Sequence, residues 1–132
     1  MAKLSMMQKA VKKWFEIADK DFASAQTLAE KELFETALFH CQQAAEKYLK
    51  GFLINEGKQF PKVHDLVYLV KSAEKKDKDF EKIAADAIGL TDFAVMYRYP
   101  LDKKVSFTTA DCKMAIGKVQ RIRDFVLKKI NG

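Results

Sequence analysis

Phe39-His40-Cys41-Gln42-Gln43-Ala44-Ala45-Glu46-Lys47-Tyr48-Leu49-Lys50-Gly51 is the stretch whose reading decides the fold. At 3.6 residues per turn, Phe34, Ala37, Leu38, Cys41, Ala45, Tyr48, Leu49 and Phe52 share one broad apolar arc of a helix. Glu35, Gln42, Gln43, Glu46, Lys47 and Lys50 fill the opposite arc, with Phe39 projecting from its middle. A large aromatic ringed by polar residues has two physical readings. Either the helix is central and touches neighbours on two sides, or Phe39 anchors a partner surface. Glu46 and Lys50 stand at i,i+4 in the favourable order, worth a few tenths of a kcal/mol on the exposed face the pattern predicts.

Outward from this stretch the pattern stays helical. A first helix is expected from about Leu4 to Lys31, with Met7, Val11, Trp14, Phe15, Ala18, Phe22, Ala25 and Ala29 inward. Asp21 falls inside that stripe, so it calls for a cationic or multi-donor partner elsewhere in the chain. The short join at Lys31 to Leu33 makes the first two helices antiparallel. The central helix stops near Gly57, a left-handed terminator followed by Pro61. A third helix starts at His64-Asp65-Leu66, with Asp65 complementing its dipole. The polar run from Glu74 to Asp79 is a loop or a frayed helix end, and Asp77 or Asp79 caps a fourth helix. That helix buries Phe80, Ile83, Ala84, Ala87, Ile88, Thr91 and Ala94, and it ends near Arg98 because Pro100 disfavours helical geometry at Tyr99. Thr108 and Asp111 form a capping pair for a fifth helix, which buries Cys112, Ala115, Ile116, Val119, Ile122, Val126 and Ile130. Arg123 lies within its apolar arc and Phe125 projects outward. Asp21, Arg98 and Arg123 are thus expected to meet in one buried polar cluster or at a crevice that accepts a phosphate.

A chain of 132 residues, 48% hydrophobic with five Gly and two Pro, reads as one all-α domain, an up-and-down bundle of about five helices. Cys41 and Cys112 have no metal-ligand spacing and read as small buried hydrophobes, so no metal or cofactor is expected. No apolar run reaches the roughly 18 residues of a membrane span, and the opening lacks the order of a signal peptide, so a cytoplasmic, membrane-free protein is expected. The net charge of +6 is unevenly placed. Residues 1–97 carry 15 basic and 15 acidic groups, while residues 98–132 carry nine basic and three acidic ones. That basic segment reads either as a solvated helix or as a surface that draws phosphate-bearing partners.

Four separate motifs resemble the HEPN domain, of the prokaryotic kind encoded beside minimal nucleotidyltransferases. They are Trp14 to Asp21 (W-x-x-x-A-x-x-D), Gln42 to Lys50, His64-Asp65-Leu66, and Leu90-Thr91 with Arg98-Tyr99-Pro100. The resemblance implies a four- to five-helix bundle that commonly dimerises. It also implies nucleotide or RNA binding, often in a two-component system of toxin–antitoxin type. Asp21, Glu46, Lys47, Lys50, His64, Asp65, Arg98 and Tyr99 match its motif positions, with Arg123 added from the helical pattern. A homodimer through Phe39, Gln42, Gln43 and Glu46 is expected.

One departure limits what the resemblance carries. Ribonuclease members place a His one or two turns after a critical Arg, to perform acid–base cleavage beside it. Here Tyr99, Pro100, Leu101, Asp102, Lys103, Lys104 and Val105 follow Arg98, with no His among them. No catalytic residue is therefore assigned, and the expected function is a non-catalytic binding subunit that partners a separately encoded nucleotidyltransferase. The alternative is an RNA-cleaving toxin in which His64 or His40 replaces the missing base.

Overall fold

Hydrophobic periodicity becomes packing in a bundle of five α-helices. The computed structural model describes residues 5–58, 64–98 and 106–132, with side chains described up to residue 91 in the middle segment. The helices are α1 (Met6–Glu30), α2 (Phe34–Asn55), α3 (Leu66–Lys76), α4 (Glu81–Arg98) and α5 (Thr109–Asn131), and a single 3₁₀ turn, Lys78–Phe80, leads into α4. Among the described residues there is no strand.

The ends of the helices follow from their capping residues. Ser5 and Gln8 satisfy each other's backbone amides in a capping box at the start of α1. Asp65 accepts the Val67 and Tyr68 N–H groups at α3, and Thr108 with Asp111 forms a second capping box at α5. Gly57 ends α2 at φ +71°, a conformation that costs a side-chain-bearing residue about 1–2 kcal/mol. Asp77 caps the 3₁₀ turn rather than α4 itself, accepting the Asp79 N–H at 3.0 Å.

The second helix is the axis of the molecule, packing on α1, α3, α4 and α5. Ala37, Cys41, Ala44, Ala45, Tyr48 and Leu49 are fully buried. Phe52, Phe80 and Phe125 form an aromatic row linking α2 to the 3₁₀ turn and α5, with centroids 4.3 and 4.9 Å apart, each contact contributing about 0.5–1.5 kcal/mol beyond area burial. This corrects the outward placement expected for Phe125, which is half-buried against Phe80. Phe80 itself belongs to the 3₁₀ turn and not to α4. Met7 and Ile88, both expected inside, are each 44% exposed. They sit where a helical stripe runs past the end or edge of the surface it packs on. The expected inward position of Ala94 lies outside the described side chains.

Candidate functional site

Three polar clusters hang on α2, all from residues of one short run. The innermost centres on Glu46. Its side chain is 2% exposed, although the sequence pattern puts it on the polar arc. The arc is covered because α3 packs back across it, so the expectation of an exposed Glu46–Lys50 pair is corrected. An isolated carboxylate there would cost several kcal/mol, and two cationic or protonatable groups offset that cost. Lys50 Nζ lies 3.1 Å from Glu46 Oε2, with the lysine side chain only 7% exposed. His64 Nδ1 lies 3.2 and 3.1 Å from the two carboxylate oxygens. Gln42, itself 2% exposed, donates its Nε2 to the His64 carbonyl at 3.2 Å, fixing the loop that carries the imidazole. The ammonium of Lys50 also lies 5.5 Å from the centre of the Trp14 ring. The His64 side chain is 60% exposed, so a buried carboxylate orients an imidazole that faces solvent.

The second cluster answers the question posed by Asp21. His40 Nδ1 lies 2.9 Å from Asp21 Oδ1, and Lys47 donates to Oδ2. A carboxylate only accepts, so the His40 tautomer here carries its proton on Nδ1. The acid is 13% exposed and its partners 28% and 19%, a half-buried group at the α1–α2 seam.

The third cluster separates Arg123 from Asp21. The Tyr48 hydroxyl donates to Asp19 Oδ1 from a ring that is fully buried, and Arg123 Nε donates to the same oxygen at 3.0 Å. Burial first, and then Asp19, pushes the Tyr48 hydroxyl well above the ordinary tyrosine range. Its hydrogen bond to Asp19 likewise raises Arg123. The expected Asp21–Arg98–Arg123 cluster is therefore corrected in one link, since Asp21 and Arg123 lie in separate clusters. Asp21 takes its counter-charge from α2, and Arg123 takes its own from Asp19, about 200° around α1 from Asp21. The side chain of Arg98 and the whole of Tyr99 lie outside the described residues.

Of the remaining expectations, Asp65 is occupied as the α3 cap. In the expected pairing face, Gln42 and Glu46 are each 2% exposed and already bonded within the protomer, while Phe39 and Gln43 are half-buried. Several basic side chains of α5 are also used internally. Arg121 binds Asp86 through two nitrogens at 3.1 and 2.8 Å. Lys129 bridges Asp77 and Asp79 at 2.8 and 2.6 Å. Asp19, Tyr48 and Trp14 join these clusters without a place in the expected site, and His40 enters it only as an alternative base. Only Tyr48 carried a signal: a buried phenol needs a partner for its hydroxyl.

No group of three or more His, Cys, Asp or Glu that could hold a metal occurs among the described residues. None of the described helices is long and apolar enough to cross a membrane.

A helical bundle with its polar groups gathered on the second helix defines an all-α domain whose signature lies in α2. The profile of the HEPN domain matches residues 11–130, and the chain belongs to that family. Its fold is similar to that of an archaeal HEPN homologue, at 26% identity and a TM-score of 0.74, over 91% of this chain and 97% of the other. It is also similar to a protein of Thermus thermophilus, at 26% identity and a TM-score of 0.80, over 90% and 97% of the two chains. No curated protein matches the sequence.

Proposed function

We propose that the chain is a non-catalytic HEPN subunit that binds a nucleotide or nucleic acid and partners a separately encoded minimal nucleotidyltransferase, as a homodimer in a toxin–antitoxin type system. The observation that carries this reading is the state of the polar groups on α2. Asp21 with Lys47 joins α1 to α2, and Glu46 with Lys50 is a buried pair within α2. Two imidazoles are fixed beside them, and neither follows Arg98 in the chain. Such a constellation presents oriented donors without the Arg–His pair of a ribonuclease.

Two measurements test the reading. Co-expression with a nucleotidyltransferase encoded by a neighbouring gene should give a complex that survives gel filtration. Titration calorimetry of the purified chain with nucleoside triphosphates and with single-stranded RNA should show binding to one of them. Separate elution together with no binding of either would overturn it.

The alternative, RNA cleavage, is favoured by one observation. Glu46 is buried and holds Nδ1 of a largely exposed imidazole, an arrangement suited to a general base at His64. Cleavage that persists through purification and disappears in His64→Ala would establish that reading instead.

A further inference from the structure

Most of the described basic side chains of α5 are used inside the molecule, while Lys113 and Lys128 are exposed. Along α5, Arg121, Arg123 and Lys129 are held in ion pairs to other segments, and Lys118 lies 4.0 Å from Asp86. The run Lys75-Lys76-Asp77-Lys78-Asp79 is nearly balanced on paper, yet both of its aspartates are taken by Lys129. Their lysines are left facing out. Lys71, Lys75, Lys76, Lys78 and Lys82 are all exposed and make no ion pair among the described residues.

These lysines are not scattered. At about 100° per residue, Tyr68, Lys71 and Lys75 fall within roughly 60° of one another on the outer face of α3. Tyr68 is 42% exposed, one of the few large side chains left outside the core. Leu66, Leu69, Val70 and Ala73 occupy the buried side of the helix. Lys78 follows on the 3₁₀ turn, and His64 precedes the cap of α3 with its side chain 60% exposed. Glu74, the one carboxylate of α3, is half-buried on the flank.

We infer that this face of α3, with Tyr68 beside the lysines Lys71 and Lys75, is a track for a single-stranded polynucleotide. The inference rests on the nucleic-acid part of the proposed function and gives it a location. Lysine ammoniums are compact charges that neutralise phosphates without reading bases, and an exposed phenol ring offers a stacking surface to any base. The partner is therefore single-stranded and recognised with little sequence preference. A duplex would keep its bases stacked on each other, leaving Tyr68 nothing to stack on.

Fluorescence anisotropy of a labelled oligouridylate, and of its deoxy counterpart, with the full chain tests the track. Tyr68→Ala should weaken binding by roughly 5- to 100-fold, the usual loss for one stacked base. Lys71→Glu/Lys75→Glu should weaken it further and lower the salt slope by about 0.7 for each phosphate contact removed. Lys9→Glu/Lys13→Glu, on equally exposed lysines of α1, serves as the control and should change affinity only slightly. All of these positions are exposed, and circular dichroism should show the fold retained. If the wild-type chain binds but the α3 variants bind as well as it does, or the α1 control loses as much, the track is wrong and the nucleic-acid reading stands. If the wild-type chain binds neither strand even at low salt, the track fails along with that part of the proposed function. Equal loss for RNA and DNA supports backbone-and-stacking recognition, and unaffected duplex binding in Tyr68→Ala supports the single-stranded assignment.

Discussion

Replacing Glu46 by alanine perturbs the most deeply buried charge in the described structure. The carboxylate is 2% exposed and offsets Lys50, whose side chain is 7% exposed and 3.1 Å away. Removing it takes away the carboxylate 3.1 Å from a buried ammonium, a change that costs about 3–5 kcal/mol. The lost contact with His64 adds little, because that side chain is 60% exposed and can hydrate. For a domain of this size the loss should lower the melting midpoint by about 10–20 °C. Urea unfolding followed by far-UV circular dichroism measures the free energy directly. The double variant Glu46→Ala/Lys50→Met removes the buried ammonium as well and restores apolar volume, so it should recover most of the loss. A cost below about 1 kcal/mol for Glu46→Ala would refute the reasoning, as would a double variant no more stable than the single one.

Asp21→Ala should cost less, about 1–3 kcal/mol, because Lys47 and His40 both retain access to water; a loss as large as that of Glu46→Ala would show the seam to be closed. Gly51→Ala should destabilise by about 1–3 kcal/mol despite the better helix propensity of alanine, since the new Cβ would lie 2.8 Å from Phe15 Cε1; unchanged stability would mean the ring moves freely. The Cys41 thiol is pushed from 9.0 up to about 12 by burial and, after it, by Cys112. The unfolded thiol ionises first, so stability should hold below about pH 9 and fall as pH rises toward about 12, with Cys41→Ala flattening part of that decline. Tyr48 contributes in the same direction, and a stability that rises across this window would contradict both.

The helices were legible because their signals are local. The capping residues Asp65, Thr108 and Asp111, the stop at Gly57 and the period of the apolar residues each act within a turn or two. Partner choice was not legible, because it depends on how helices rotate against one another. Asp19 and Asp21 lie two residues apart on α1, and a rotation of about 200° between them sends one to Arg123 and the other to Lys47. Glu46 read as exposed because a helical wheel records polarity and not what covers it, and the cover is the N-terminus of α3, brought over by a separate segment. The acidic residues that neutralise α5 are likewise invisible from its own composition. Membership of the HEPN family was legible for a different reason, since several short motifs in fixed order carry more information than any one of them.

The central claim is that this chain holds a nucleotide or nucleic-acid strand without cutting it. Rigorously purified protein incubated with a labelled single-stranded RNA, followed by anisotropy and then by denaturing gel, tests both halves at once. Binding with the RNA recovered at full length, in the wild-type chain and in His64→Ala alike, is the predicted result. RNA shortened by the wild-type chain and left intact by His64→Ala would contradict it.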